Sequence, residues 1–421
     1  MASDIAARAA ALDLLAAVLD RHRPLDESLD SHRGLAALST RDRGFARLLV
    51  ATVLRRLGQI DALIAGCLDK PLPAKAAGAR DILRLGVAQL LFLDVPAHAA
   101  LDTSVRLTAG DARLGGFKAL INAVLRRLQR EGAALIAGQD APCLNTPDWL
   151  WDSWVATYGE ETTRHIADAH LAEAPLDITA KGDPAAWAAK LEADILPTGS
   201  LRRTAGGAVQ DLPGFAEGAW WVQDAAAALP VRLLGDVAGR AVIDLCAAPG
   251  GKTAQLAAAG ARVTAIDRSA PRLLRVRENL DRLHLDADLV AADGETWRPA
   301  APADAVLLDA PCSATGTIRR HPDVARLKRP EDVAKMAQAQ ARLLAAAVEM
   351  VKPGGMIVYC SCSLQPDEGP AHLVPHLPVE RVRLRAEEVG GRYELLTPAG
   401  DLRTLPSQGM DGFFAVRLRR L

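Results

Sequence analysis

From residue 238 onward the chain repeats one rhythm: a short apolar run, a loop, an amphipathic helix. The apolar runs are 241–245, 263–267, 288–291, 305–309 and 356–359, and helical patterns, notably 272–283 and 333–351, fill the gaps. Strands that alternate with helices need crossover connections, so these runs are expected as parallel strands of a doubly wound α/β sheet. In such a sheet the loops beyond the carboxyl ends of the strands face one crevice. Those loops are where the chemistry of this chain is to be sought.

The rest of the chain reads differently. Up to about residue 135, apolar residues recur at three- and four-residue spacing. They do so in Ala11, Leu12, Leu14, Leu15, Val18 and Leu19, in Phe45, Leu48, Leu49, Val53 and Leu57, and in Ile82, Leu83, Leu85, Val87, Leu90 and Leu91. Thr40, just before Arg41, is a predicted N-cap. The expectation is an all-α bundle over 1–135, a link over 136–145, a small α+β linker domain over 145–237 and the α/β domain over 238–421. Trp149, Trp151, Trp154 and Tyr158 crowd the start of the linker domain, at a spacing that suits helix packing ahead of base stacking.

Composition narrows the function classes. Half of the 421 residues are hydrophobic and the net charge is −1, which excludes a disordered chain and a uniformly basic coat protein. The charge is unevenly placed: residues 1–140 hold 19 basic and 15 acidic side chains, the remainder 31 and 36. Arg41, Arg43, Arg47, Arg55 and Arg56 concentrate part of the excess, and a solvated helix face and an RNA contact both account for it. No apolar stretch is long enough to span a membrane, and the N-terminus lacks the order of features of a signal peptide. Six cysteines in so long a chain fit reduced thiols in the cytoplasm. No spacing of them makes a good metal site, so none is expected.

The first strand is followed by Cys246, Ala247, Ala248, Pro249, Gly250, Gly251, Lys252 and Thr253. Glycines let a backbone approach a ligand, and the helix that follows presents free N–H groups. A P-loop ATPase would share the ending Gly251-Lys252-Thr253, but needs glycine where Cys246 stands. A class I S-adenosylmethionine methyltransferase instead requires an acid after the second strand for the ribose, and a polar or acidic residue after the third near the adenine. Asp267 and Asp293 occupy those places.

Two further loops carry thiols: Asp309-Ala-Pro-Cys-Ser-Ala-Thr-Gly316 after the fourth strand and Tyr359-Cys-Ser-Cys-Ser363 after the fifth. They are either small buried hydrophobes or reagents. Carbon 5 of cytosine is too weak a nucleophile to take a methyl group. A thiolate added at carbon 6 turns it into an enamine carbon that is strong enough. A second group then helps the proton at carbon 5 leave, and a carboxyl beside N3 and the 4-amino group, such as Asp309, stabilises the adduct. Cys312 and one of Cys360 and Cys362 meet this need, and Lys252, Arg319, Arg320 and His321 are candidates to acidify a thiol.

These motifs, with Arg319-Arg-His-Pro-Asp323 and Asp411-Gly-Phe-Phe414, resemble the RNA 5-methylcytosine methyltransferases of the RsmB/NOP family. The resemblance implies a seven-stranded Rossmann-like sheet, S-adenosyl-L-methionine as cofactor, Cys362 as nucleophile and Cys312 as the thiol that releases product. It also implies cofactor contacts at Cys246 through Lys252, Asp267, Asp293 and Asp309. Residues around Val95-Pro96 and Phe117–Arg126 are similar to the NusB fold. A NusB-like module before a linker and this catalytic domain is the layout of the RsmB type. That layout implies 16S ribosomal RNA as partner, at cytosine 967; the expectation for the chain itself is a monomeric or weakly associated cytoplasmic enzyme without membrane contact. Other rRNA or tRNA cytosines are the alternative substrates; a non-catalytic NusB-like RNA-binding factor is the alternative class. The sequence departs from the family pattern at Cys360-Ser361 before Cys362, at Gly369 after Asp367-Glu368, and at Leu176-Asp-Ile-Thr-Ala180 in the linker. Two residues apart on a continuing strand, Cys360 and Cys362 would share a face, so alternation alone does not separate them.

Overall fold

Alanine and leucine at helical spacing dominate the first third of the chain, and the computed structural model, which describes residues 2–204, 206–369 and 377–421, is helical there. The chain forms two units, one of Met1–Ala172 with Ile318–Lys328, the other of Glu173–Thr317 with Arg329–Leu421.

In the first unit the principal helices are Ala2–Leu19, Thr40–Arg55, Leu57–Gly66, Ala77–Leu91, Ala97–Leu107, Lys118–Ala137, Asp148–Tyr158 and Glu160–His170. Their apolar stripes meet in one core that includes Leu14, Leu49, Val53, Ile60, Leu83 and Leu125. Two expectations shift locally. The cap of Thr40–Arg55 is Ser39, whose Oγ accepts from the Asp42 N–H (3.1 Å) and donates to its carboxylate (2.8 Å). Leu48 lies outside the stripe and is exposed, on the same helix as the exposed Arg41, Arg43 and Arg47. The aromatic cluster is used in packing: Trp154 is fully buried beside the His170 ring (5.5 Å between centroids), and Trp151 is half-buried under the Arg164 guanidinium.

Residues 318–328 belong to this helical unit. Ile318 and Ala325 are buried, the Leu25 N–H donates to Asp323 (2.9 Å), Arg55 donates to the Arg319 carbonyl (3.1 Å) and Arg326 to the Asn145 carbonyl (2.7 Å).

The second unit opens with a small antiparallel sheet of β1 (Leu176–Ala180), β2 (Asp194–Ile195), β3 (Leu201–Arg203) and β4 (Trp220–Val222), in the order β2-β3-β1-β4. Ile178, Leu201 and Trp220 form its core, and Arg202 clasps the buried Asp177 with two hydrogen bonds of 2.7 Å. The large sheet contains β5 (Ala241–Leu245), β6 (Arg262–Asp267), β7 (Asp288–Ala291), β8 (Ala303–Asp309), β9 (Val351–Ser361), β10 (Val379–Arg381), β11 (Leu402–Thr404) and β12 (Phe413–Arg420). The order is β10-β12-β9-β8-β5-β6-β7, with β11 on β12. Strands β5 to β9 are parallel, and β12 runs antiparallel to β9. Among the described residues the sheet thus has eight strands where the resemblance implies seven, because the short β11 pairs on β12. Order reverses between β5 and β8, so the loops after these strands flank the switch point of the sheet. No helix among the described residues is long and apolar enough to cross a membrane.

His170 carries a pH consequence for the helical unit. Burial, then the charges of Arg319 and Arg55, lower its pKa from 6.5 to about 3. The folded state therefore holds it neutral while the unfolded chain takes up a proton near pH 6.5, so its contribution is complete above that pH and is lost as pH falls toward 3. His170→Phe keeps a ring against Trp154 and removes the titration. Its urea midpoint, followed by tryptophan fluorescence, is expected to fall less steeply below pH 6.5 than that of the parent chain; equal slopes would assign the acid sensitivity to another group.

Candidate active site

The loop after β5 is held from below. Ala247 N–H donates to the Ile266 carbonyl (2.9 Å) and Ala248 N–H to Asp267 (3.2 Å), which ties the loop to the end of β6. Asp267 also accepts from the Ser269 N–H (2.9 Å), with Arg272 at 3.4 Å, and only 3% of the residue is exposed. Cys246 has φ 67° and Gly250 φ 100°, so the chain reverses twice in left-handed backbone before the helix Gly251–Ala258. A Cβ on Gly250 would lie 3.0 Å from Val276, which leaves only glycine free of strain there. Asp293, after β7, is exposed and caps its own turn by accepting from the Glu295 N–H. These groups fit a cofactor with ribose hydroxyls and an adenine: a low, open backbone loop, an acid behind it and an acid beside it.

They do not fit a polyphosphate. Lys252, which a P-loop would offer to phosphates, is buried and donates to Asp309 (2.7 Å), and its ammonium sits 5.0 Å above the Phe413 ring. Burial opposes its charge, but the Asp309 carboxylate, by charge and hydrogen bond, offsets that, so its pKa is raised and it is cationic. Beneath it Asp244, which the sequence reading left without a role, is fully buried and accepts from Thr253 Oγ1 (2.6 Å). Burial pushes its pKa up to about 7, against the Thr253 hydrogen bond. An ammonium already paired with the Asp309 carboxylate leaves no free cation for an anionic ligand.

The thiols separate into two environments. Cys360 pairs in register with Asp309 across β8 and β9, is fully buried and donates its S–H to that carboxylate (3.5 Å). Burial first, then Asp309, push its thiol far up, with Lys252 acting the other way. Cys362 lies beyond the last residue of β9, is half-buried, and its sulfur is 3.3 Å from that of Cys312. The shared face that alternation permits therefore does not form: the strand ends at Ser361, and the chain turns so that Cys362 meets the β8 loop instead of Asp309. Cys312 is pushed well up, first by its hydrogen bond with Cys362, then by burial and the charges of Cys362 and Glu368.

Close backbone contact fixes the loops. Gly316 N–H donates to the Cys362 carbonyl (3.0 Å), and the Gly316 carbonyl accepts from the Gly412 N–H (2.8 Å). A Cβ on Gly316 would stand 1.9 Å from the Gly412 oxygen, so no side chain fits. Of the residues the sequence singled out, Cys246, Lys252, Asp267, Asp309, Cys312, Cys360 and Cys362 gather at the carboxyl ends of β5, β6, β8 and β9. Arg319 and His321 engage the helical unit, His321 lying 3.2 Å from Asp26. Phe413 was legible only as part of a motif, without its place over Lys252. Among the described residues no group of three or more His, Cys, Asp or Glu is arranged to hold a metal ion.

Comparison with known proteins finds relatives over nearly the whole chain. Residues 231–419 match the family described as 16S rRNA methyltransferase RsmB/F, and residues 5–130 match the NusB family. The chain is 38% identical to ribosomal RNA small subunit methyltransferase B of Pseudomonas putida, over 98% of both chains. It is 36% identical to the protein of that name from Xanthomonas campestris, over 98% of this chain and 97% of the other. A solved methyltransferase homolog protein from Pyrococcus horikoshii, 25% identical, superposes with a TM-score of 0.54 over 70% of this chain and 98% of its own.

The difference between the thiols is directly measurable. On brief treatment with iodoacetamide, mass spectrometry of the digested protein is expected to find Cys362 alkylated well before Cys360, because only Cys362 has exposed surface and a neighbour that is not a carboxylate. Faster modification of Cys360 would contradict the burial.

Proposed function

The chain belongs to the 16S rRNA methyltransferase RsmB/F family, and we propose that it methylates carbon 5 of a cytosine in 16S ribosomal RNA, cytosine 967, through a covalent bond from Cys362 to carbon 6. The observation that carries this reading is the pair of sulfurs 3.3 Å apart at the ends of adjacent parallel strands, beside the Lys252–Asp309 ion pair. S-adenosyl-L-methionine, when bound, supplies an electrophilic methyl group. Cys246 through Lys252 would hold it, with Asp267 assigned to the ribose hydroxyls, Asp293 to the adenine side and Asp309 to the inner edge.

The thiolate of Cys362 adds to carbon 6, and the electron pair of the 5,6 double bond makes carbon 5 nucleophilic. Lys252 is a fixed positive charge held beside these thiols by Asp309. Asp309, with 27% of its side chain exposed, is assigned to the N3 and 4-amino edge of the base. Carbon 5 takes the methyl group and then carries both methyl and proton. Cys312, once its own proton has passed to solvent, takes the carbon-5 proton as a thiolate, the double bond re-forms, and the Cys362 sulfur leaves as thiolate. Cys360 is a poorer nucleophile for a physical reason: it is fully buried, and its thiol keeps its proton in a hydrogen bond to Asp309 inside the sheet. The target base must leave its stack to reach such a recessed site. The NusB-like module offers Arg41, Arg43 and Arg47 on one exposed helix for RNA phosphates.

Cys362→Ala is expected to abolish methyl transfer, and Cys312→Ala to leave a covalent RNA–protein adduct that survives denaturing gels. Activity retained in Cys362→Ala but lost in Cys360→Ala would reverse the assignment of the nucleophile. Asp267→Ala is expected to lose saturable S-adenosyl-L-methionine binding by calorimetry. Bisulfite sequencing of ribosomal RNA from a deletion strain tests the substrate: the expected result is loss of one 5-methylcytosine in 16S rRNA, and loss only in tRNA would overturn it.

A further inference from the structure

Glu368 is a fully buried carboxyl that none of the steps above uses. It stands where the two thiol-bearing loops meet. Its Oε1 accepts from the Ser313 N–H (2.7 Å) and from Gln340 Nε2 (3.3 Å). Its Oε2 accepts from the hydroxyl of Ser313 and from that of Ser363 (2.5 Å). Ser313 follows Cys312 in the chain and Ser363 follows Cys362. Their hydroxyls are also 3.1 Å apart, and Thr315 Oγ1, which accepts from the Leu364 N–H (3.0 Å), lies 3.2 Å from that of Ser363.

The two thiols depend on this cluster unequally. Cys362 directly continues β9, and its carbonyl is held by the Gly316 N–H. The Glu368 backbone carbonyl, present whatever the side chain, accepts from Ser361 Oγ (2.7 Å) and Tyr359 (3.1 Å) on that same strand. Cys312 sits in irregular backbone between Asp309 and Thr315, just before Ala314 at φ 58°. The peptide N–H immediately after it is anchored by the Glu368 side chain.

We infer that Glu368 is a positioning residue: its carboxylate fastens the Cys312 loop against the Cys362 loop and so sets the elimination half of the reaction, while the addition half stands without it. This rests on the reading of Cys362 as nucleophile and Cys312 as proton acceptor. Removing the tether displaces Cys312 and leaves Cys362 in place, so the adduct forms and persists.

The test uses the full-length protein and an RNA transcript containing the target cytosine. Glu368→Ala is expected to lower turnover on the order of 10²-fold, as small misplacements of reacting groups do, and to accumulate the covalent adduct as Cys312→Ala does. Glu368→Gln keeps a carbonyl for the Ser313 N–H, and the hydroxyls of Ser313 and Ser363 are free to turn and accept from its amide, so it is expected to recover most of the turnover. Calorimetric binding of S-adenosyl-L-methionine checks that each variant is folded. Loss of turnover without adduct in Glu368→Ala that still binds the cofactor overturns the inference, as does turnover at the parent level. Should Glu368→Ala fail to bind the cofactor, Glu368→Asp decides: its shorter carboxylate cannot reach both serines, adduct accumulation supports the tether, and parental turnover overturns it. Cys362→Ala run alongside keeps the two readings apart. An adduct that persists in Cys362→Ala overturns the nucleophile; adduct in Cys312→Ala but in neither the Glu368→Ala nor the Glu368→Asp variant overturns the tether alone.

Discussion

The ammonium of Lys252 is buried against Asp309, and that pair acts on Asp244 and Cys360 packed beside it. A lone ammonium in this position would lose its proton to escape desolvation. Asp309 prevents that, at the cost of being partly committed itself, and Phe413 closes the remaining face of the ammonium with an aromatic ring. The result is a fixed positive charge committed to Asp309 and withheld from a polyphosphate. The same pair separates the two cysteines near it. Cys360 lies on the Asp309 side, where its proton is held, whereas Cys362 lies beyond the strand end, where the nearest partner is another sulfur.

Around that pair the catalytic domain solves a mechanical problem. Two loops that leave different strands must present their sulfurs within van der Waals contact, yet neither loop has regular backbone pairing there. The solution is a buried polar cluster of Ser313, Thr315, Ser363, Gln340 and Glu368, with Tyr359 and Ser361 on the Glu368 carbonyl. Such networks are worth having only when every member is satisfied, since an unpaired buried carboxylate is very costly. Gly316 completes the arrangement by letting two loops approach to backbone contact, which no other residue permits.

Much of this was legible beforehand, for identifiable reasons. The runs at 241–245 and 288–291 coincide with β5 and β7, because buried parallel strands are short, apolar and bounded by turn residues. Cys246, Lys252, Asp267, Asp309, Cys312 and Cys362 were identifiable because the topology of a doubly wound sheet brings strand-end loops together whatever their separation in sequence. Thr40 was mistaken for Ser39 because either hydroxyl suits a cap and only backbone dihedrals distinguish them. Glu368 was visible only as one of an acidic pair beside a departure from the family pattern. Its importance lies in four donors that come from residues 313, 340 and 363, and no local pattern announces a partnership of that reach.

Sequence alone determined the helical module, the alternating α/β domain, the glycine loop after its first strand with acids after the next two, and the thiols in the loops after the fourth and fifth. These follow from periodicity and from the residue types a reaction requires, both local properties of the chain. Tertiary structure alone decided which thiol is shielded and which is presented, that residues 318–328 pack with the helical unit, and that a C-terminal strand brings Phe413 to Lys252. Each of these depends on burial and on distances between residues far apart in sequence, and such quantities exist only once the chain has closed on itself.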